Sequence, residues 1–172
     1  MVTVANRSEL VAALERTSQT VTDFLEQLVG ESIDAEAHHH HRVGAPASNT
    51  LQAAEGDPLL QRAATLRGRR SGSPYVYAES VIVMNRLPET FCLRLESSID
   101  PIGRILHEMK IPVTRRNLGS PGGFSDSGAN GAMKVGDYLL ARTYSLDSAS
   151  RPLMVITEWF LKTLNPFLES EK

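Results

Sequence analysis

Much of what this 172-residue chain does not contain already limits what it can be. It has one cysteine, Cys92, which excludes an intrachain disulfide framework, fits a reducing compartment and leaves no Cys partner for a metal site. Within "FCLRL" that residue reads as a small buried side chain. No apolar run approaches the ~20 residues of a membrane span, and "MVTVANRSEL" lacks a basic region followed by an apolar core. Excess charge of one sign is missing too: 18 Lys and Arg face 20 Asp and Glu, giving a net charge of −2. Only "RGRR" at 67–70 is clustered, so no field for nucleic acid or an anionic membrane follows. A soluble, cytoplasmic protein with neither of those partners is expected; its oligomeric state is not legible, because a surface patch reads like core. The motifs GxxxxGK[ST], GxGxxG between strand and helix, GxSxG and HExxH are all absent, which removes support for nucleotide, covalent-hydrolase and zincin chemistry.

What is present is ordinary globular composition, 41% hydrophobic and 22% charged, enough for one domain over 1–172 with a sizeable core. "SELVAALERT", with Ser8 as N-cap, and "TVTDFLEQLVG", restarting after Thr20 or Thr22 and stopping at Gly30, predict two short amphipathic helices within 6–30. "AEAHHHHRV" predicts a half-exposed strand or loop, and an Ala/Pro/Ser/Asn/Gly-rich connection follows over 44–58. "LLQRAATLRG", "YVYAESVIVM", "DYLLARTY" and "RPLMVITEWFL" are short and strand-like. The turn-sized "RRSGSP" and "DSAS" join them into antiparallel hairpins. Between the hairpins, "DPIGRILHEMK" predicts a third helix with Asp100 as cap and Pro101 at the first helical position. "IPVTRRNL" then leads into a Gly- and Ser-rich stretch, 119–136, which reads as a connection or a mobile lid. Strands dominate 59–161 without regular βαβ alternation, so the expected class is α+β: an antiparallel sheet with flanking helices.

Two charged residues stand in apolar rows. In "RPLMVITEWFL", strand alternation places Met154, Ile156, Glu158 and Phe160 on one face, and an unpaired buried carboxylate there would be expensive. Arg62 shares its face with Leu60, Ala64 and Leu66, and the small Ala64 leaves room for a ligand. A guanidinium so placed holds a carboxylate by two parallel hydrogen bonds, and a carboxylate accepts from a hydroxyl or, when desolvated, donates a proton. The bland alternative is a plain Arg62–Glu158 ion pair. If "DSAS" is a four-residue loop, Arg142 lies opposite Val155, on the other side of the sheet from Glu158, and is only a secondary candidate. Arg86 and Arg104 read as surface or structural pairs. In a strand, neighbouring residues of His38 to His41 point to opposite faces, so at most two converge and no metal site is expected, although one histidine can face a pocket.

"LQRAATLRG", "YAESVIVMNRLP", "DPIGRIL", "ARTY" and "RPLMVITEWFL", in that order over roughly 59–161, resemble the chorismate pyruvate-lyase, or 4-hydroxybenzoate synthase, family in its broad bacterial form. The resemblance implies an antiparallel sheet and helices enclosing an internal ligand pocket. It also implies conversion of chorismate to 4-hydroxybenzoate and pyruvate, with no metal or organic cofactor and a small molecule as partner. By position, Arg62 matches the arginine that binds the substrate carboxylate, and Glu158 matches the glutamate that meets the ring hydroxyl. Ile102 falls at a pocket-lining aliphatic position. Ala78, Ser80 and Arg142 complete the expected substrate-binding set. At Glu79 the ubiquinone-pathway enzymes carry an arginine at a pocket approach, and an acid there would oppose a dianion unless paired. The alternatives are a specialised-metabolism enzyme using the same pocket for another elimination, aromatisation or cyclisation, and a non-catalytic binder of aromatic carboxylates.

Overall fold

Along the chain follow α1 (Arg7–Arg16), α2 (Val21–Val29), β1 (Ile33–Gly44), β2 (Pro58–Gly68), β3 (Pro74–Val83), α3 (Glu89–Ser97), α4 (Ile102–Glu108), β4 (Thr114–Gly119), β5 (Tyr138–Ser148) and β6 (Arg151–Leu161). This computed structural model describes residues 2–119 and 136–168; the stretch 120–135, where the lid reading falls, lies outside the described residues. The strands form one sheet in the order β1-β2-β3-β6-β5-β4, with every neighbour antiparallel. The class is α+β.

Helix starts depart from the sequence reading in detail. Asn6, not Ser8, caps α1: its side chain accepts from Glu9 N at 3.0 Å, and Glu9 Oε2 in turn accepts from Ala5 N at 2.8 Å. Thr20 caps α2, and Gly30, at φ 73°, ends it in the left-handed conformation that glycine adopts without strain. Asp100 does not cap α4. Its carboxylate is taken by Arg94 at 2.9 Å, and Pro101 stands just before the first helical residue. Two elements went unread. The α3 helix buries Phe91, Cys92 and Leu95 on one face, and β4 is a largely exposed edge strand.

The helices pack at the two ends of one sheet face. At one end Leu66, Val76, Leu140 and Phe160 meet Leu10, Leu14, Phe24 and Leu25 from α1 and α2. At the other, Leu60, Ile82, Leu146 and Met154 meet Phe91, Leu95, Ile105 and Leu106 from α3 and α4. Each such side chain contributes about 1.5–3 kcal/mol by burial, so the two clusters fix the helices over the two ends of the sheet. The middle of that face is polar. The opposite face carries Ala63, Tyr77 and Trp159 in an apolar group, together with Glu79 opposite Thr157. Glu79 therefore points away from Arg62 and does not oppose an anion there. Burial and Glu79 push the neighbouring Tyr77 phenol up to about 12.

The β5–β6 hairpin corrects the expected register. Its loop has two residues rather than four: Ser148 pairs with Arg151, and Ala149 and Ser150 take φ 49° and 61°, the signature of a type I′ turn. Continued without a break, that register would set Arg142 opposite Thr157. Instead the pairing passes from Asp147–Pro152 to Leu146–Met154, so Leu153 is absorbed as a bulge and the pairs from Leu146–Met154 to Leu140–Phe160 shift by one. Arg142 consequently lies directly opposite Glu158, on the same face. A second bulge, between Ala37 and His39 in β1, inserts His38 and leaves His40 opposite Arg62.

Candidate active site

The polar middle of the helix-covered face consists of two transverse rows. One runs His40, Arg62, Ser80, Ile156, Tyr144 and Asn117 across all six strands, and the other runs Ala64, Ala78, Glu158 and Arg142. Over them opens a cleft of about 1160 Å³, walled by Ile102 and Leu106 of α4, the Thr17–Gln19 connection and Arg115 of β4. Small side chains at Ala64 and Ala78 leave the space above the sheet unfilled.

Glu158 is only 1% exposed, and both of its oxygens are engaged. Arg142 Nε donates to Oε2 at 2.8 Å, and the Tyr144 hydroxyl donates to Oε1 at 2.7 Å. Its partner is thus Arg142, which replaces the Arg62–Glu158 pair considered from sequence. Burial draws the Arg142 guanidinium down, but the Glu158 charge and the bonds to it outweigh burial and leave it raised. Burial and the Glu158 charge hold the Tyr144 phenol well above its ordinary value, so it remains a donor. Carboxylate oxygens have two lone pairs each, so Glu158 can still accept from a hydroxyl in the cleft.

Arg62 is 4% exposed and forms no ion pair among the described residues. Its Nε donates to His40 Nε2 at 3.1 Å, which requires that ring nitrogen to be unprotonated. Burial, reinforced by the Arg62 charge, holds the His40 pKa below 6.5, while burial brings Arg62 down to about 10, still a cation at neutral pH. Three guanidinium nitrogens at the cleft, Arg62 Nη2, Arg115 Nε and Arg142 Nη2, are buried without a hydrogen-bond partner.

The structure therefore gathers Arg62, Ala78, Ile102, Arg142 and Glu158 around one cleft, with Ser80 opposite Arg62 on the same face but outside the lining. Sequence reasoning missed Tyr144 and Arg115, and it allowed one histidine of the 38–41 run a place at a pocket without singling out His40, the one that bonds Arg62. Tyr144 had a signal, since it lies two residues beyond Arg142 in "ARTY" and shares its face. Arg86 and Arg104 are structural as expected: Arg86 donates to the carbonyls of Leu51, Gln52 and Pro152, and Arg104 pairs with Glu26 at 2.7 Å. Of the other histidines, His38 bonds Thr65 Oγ1 at 2.6 Å, while the His39 and His41 rings lie 5.7 Å apart in solvent. Among the described residues no group of three or more His, Cys, Asp or Glu is arranged to hold a metal ion, and no helix is long and apolar enough to cross a membrane.

The family model described as chorismate pyruvate-lyase, Rv2949c-like, matches residues 16–168. A protein named chorismate pyruvate-lyase from Mycobacterium tuberculosis (strain ATCC 25618 / H37Rv) is 33% identical over 111 residues, 62% of this chain and 54% of that protein. Its namesake from Mycobacterium leprae (strain TN) is 27% identical over 157 residues, 88% of this chain and 73% of that protein. The chain spans about half the length of the Mycobacterium tuberculosis relative. Among solved structures, PhnF from Mycobacterium smegmatis superposes with a TM-score of 0.54 at 13% identity, covering 91% of this chain and 68% of PhnF. The C-terminal domain of the histidine utilization repressor from Pseudomonas syringae does so with a TM-score of 0.52 at 10% identity, covering 76% and 92%. Those structures share the fold.

Proposed function

The chain belongs to the Rv2949c-like chorismate pyruvate-lyase family, and on that premise we propose that it is a single-domain, cofactor-independent lyase that converts chorismate to 4-hydroxybenzoate and pyruvate. The observation that carries the reading is Arg62: a buried cation in the cleft, neutralised by no described carboxylate, with an N–H left unspent.

Arg62 takes the ring carboxylate in a charge-assisted bond. Glu158, fixed by Arg142 and Tyr144, accepts from the ring hydroxyl, and the spare Arg142 N–H faces the ether oxygen. In the reaction the bond from the ring carbon to the ether oxygen breaks, and its electron pair leaves with the enolpyruvyl group. The neighbouring carbon, which bears the hydroxyl, loses its hydrogen as a proton, and the ring becomes aromatic. The released enolpyruvate gains a proton at its methylene carbon and becomes pyruvate. Aromatisation supplies the driving force, so the protein's task is orientation and stabilisation of charge developing on oxygen.

The test is incubation of purified, chelator-treated protein with chorismate, following both products by chromatography. Equimolar pyruvate and 4-hydroxybenzoate, reduced at least ~100-fold by Arg62→Ala, is the expected result. A second reading, a non-catalytic binder of aromatic carboxylates, draws on the full engagement of both Glu158 oxygens. It predicts tight 4-hydroxybenzoate binding with no pyruvate from chorismate.

A further inference from the structure

Arg142 has a counter-ion in Glu158; Arg62 and Arg115 have none among the described residues. Arg115 stands on β4 opposite Leu146, on the cleft side of the sheet. Its Nη2 donates to the Gln19 carbonyl at 3.0 Å, its guanidinium lies 4.9 Å from the centre of the Tyr144 ring, and its Nε is buried with no partner. The Tyr144 ring also meets Arg142, likewise at 4.9 Å, so the phenol that holds Glu158 lies between two cations. Glu158 balances one of those, and no described carboxylate balances the other.

The cleft thus carries two guanidinium groups without a counter-ion among the described residues, near opposite ends of its floor, one rooted in β2 and the other in β4. Arg62 is buried and Arg115 half-buried, but each keeps a buried N–H that is unspent among the described residues; such a donor on a cation is matched by an anionic oxygen, and two of them are matched by a dianion. A monocarboxylate would leave one uncompensated. We propose that Arg115 is a second carboxylate anchor, which makes this cleft a site for a ring ether bearing a carboxylate at each end. Given the lyase reading, on which the identity of the ligand rests, Arg62 holds the ring carboxylate and Arg115 the enolpyruvyl carboxylate. Cleavage of the ether then leaves each product with one anchor. The pyruvate half lies on the side of the Gln19 connection and the exposed β4 edge, and the aromatic half lies beside the buried Arg62.

A purely structural Arg115, tying the Gln19 connection to the sheet, would affect every ligand alike, whereas an anchor discriminates. Equilibrium binding of 4-hydroxybenzoate and of the unreactive dicarboxylate 4-(carboxymethoxy)benzoate should be measured on wild type, Arg115→Gln, Arg115→Lys and Arg62→Gln, with unfolding midpoints as a control for folding. Arg115→Gln is expected to weaken the dicarboxylate by ~10-fold or more while leaving 4-hydroxybenzoate within about 2-fold. Arg115→Lys should recover part of that loss, and Arg62→Gln should weaken both ligands. Equal loss of both ligands in Arg115→Gln, loss of neither, or binding of neither by wild type overturns the anchor. Arg115-dependent discrimination without pyruvate release from chorismate would leave the anchor standing and remove the lyase reading. Chorismate turnover with kcat/KM unchanged in Arg115→Gln would do the reverse.

Discussion

Arg142 and Glu158 face each other across the β5–β6 ladder with Nε and Oε2 2.8 Å apart, both largely withdrawn from solvent. Glu158→Gln keeps the shape but leaves a buried guanidinium without its counter-charge, a change that costs about 3–5 kcal/mol in comparable sites. A fall of that size in unfolding free energy, measured in urea, is expected alongside loss of turnover. The double variant Arg142→Met/Glu158→Leu should recover much of the stability and none of the activity, because it removes both charges together. Additive losses in the double variant would show that the two groups are not coupled.

His40 gives the site a dependence on pH. Burial and Arg62 hold its folded pKa below 6.5, so between 6.5 and that lower value the unfolded chain binds more protons. The stabilisation from neutral His40 is complete above about pH 6.5 and fades as pH falls through the folded value. Protonation also removes the acceptor for Arg62 Nε. Affinity for 4-hydroxybenzoate should therefore decline from pH 7.5 to 5 in wild type and decline less in His40→Gln, whose amide oxygen accepts without titrating. Parallel pH profiles for the two proteins would dissociate His40 from Arg62.

Glu31 acts in a lower window. Its carboxylate accepts from Ser71 Oγ at 2.6 Å, Ser71 N at 3.0 Å, Tyr75 OH at 3.0 Å and Arg70 N at 2.9 Å, and these bonds, Ser71 foremost, lower its pKa from 4.5 to about 2. The sign is that of a depressed carboxylate: its stabilisation is full above about pH 4.5 and is lost as pH falls through about 2. Glu31→Gln should flatten the urea midpoint over that interval and loosen the β2–β3 turn. An unchanged slope would place the acid sensitivity elsewhere.

The two-residue turn of the β5–β6 hairpin is a site for stabilisation. Ala149 and Ser150 both occupy positive φ, which costs ordinary residues about 1–2 kcal/mol each and suits Asn-Gly. Ala149→Asn with Ser150→Gly should raise stability by about 1 kcal/mol or more with catalysis unchanged, as read by thermal unfolding and a chorismate assay. A lower midpoint would mean the turn is not of this type.

The parts of the fold that were legible are those fixed by local pattern. Alternation placed Glu158 with Ile156 and Phe160, and Arg62 with Leu60 and Ala64, on the face that carries the cleft, while Gly30 and the first of two candidate caps, Thr20, delimit α2. The parts that were not legible depend on partners. Leu153 looks like any strand residue, and only pairing with β5 turns it into a bulge and moves Arg142 to the face of Glu158. His40 reaches Arg62 for the same kind of reason, through the bulge at His38. The α3 helix was hidden because "FCLRL" is too short for its period to declare itself, and β4 because an exposed strand held by one neighbour need not alternate.

The bulge at His38 has a consequence for the outer edge of the sheet. A twelve-residue border strand such as β1 offers a long row of unpaired backbone donors and acceptors, the kind of template on which chains stack into aggregates. The extra residue breaks that row near its middle and twists the strand, while Arg42 and Glu96 set a charged pair near one end of it. The irregularity that sets a histidine against Arg62 also makes the border a poor seed for cross-chain strand pairing.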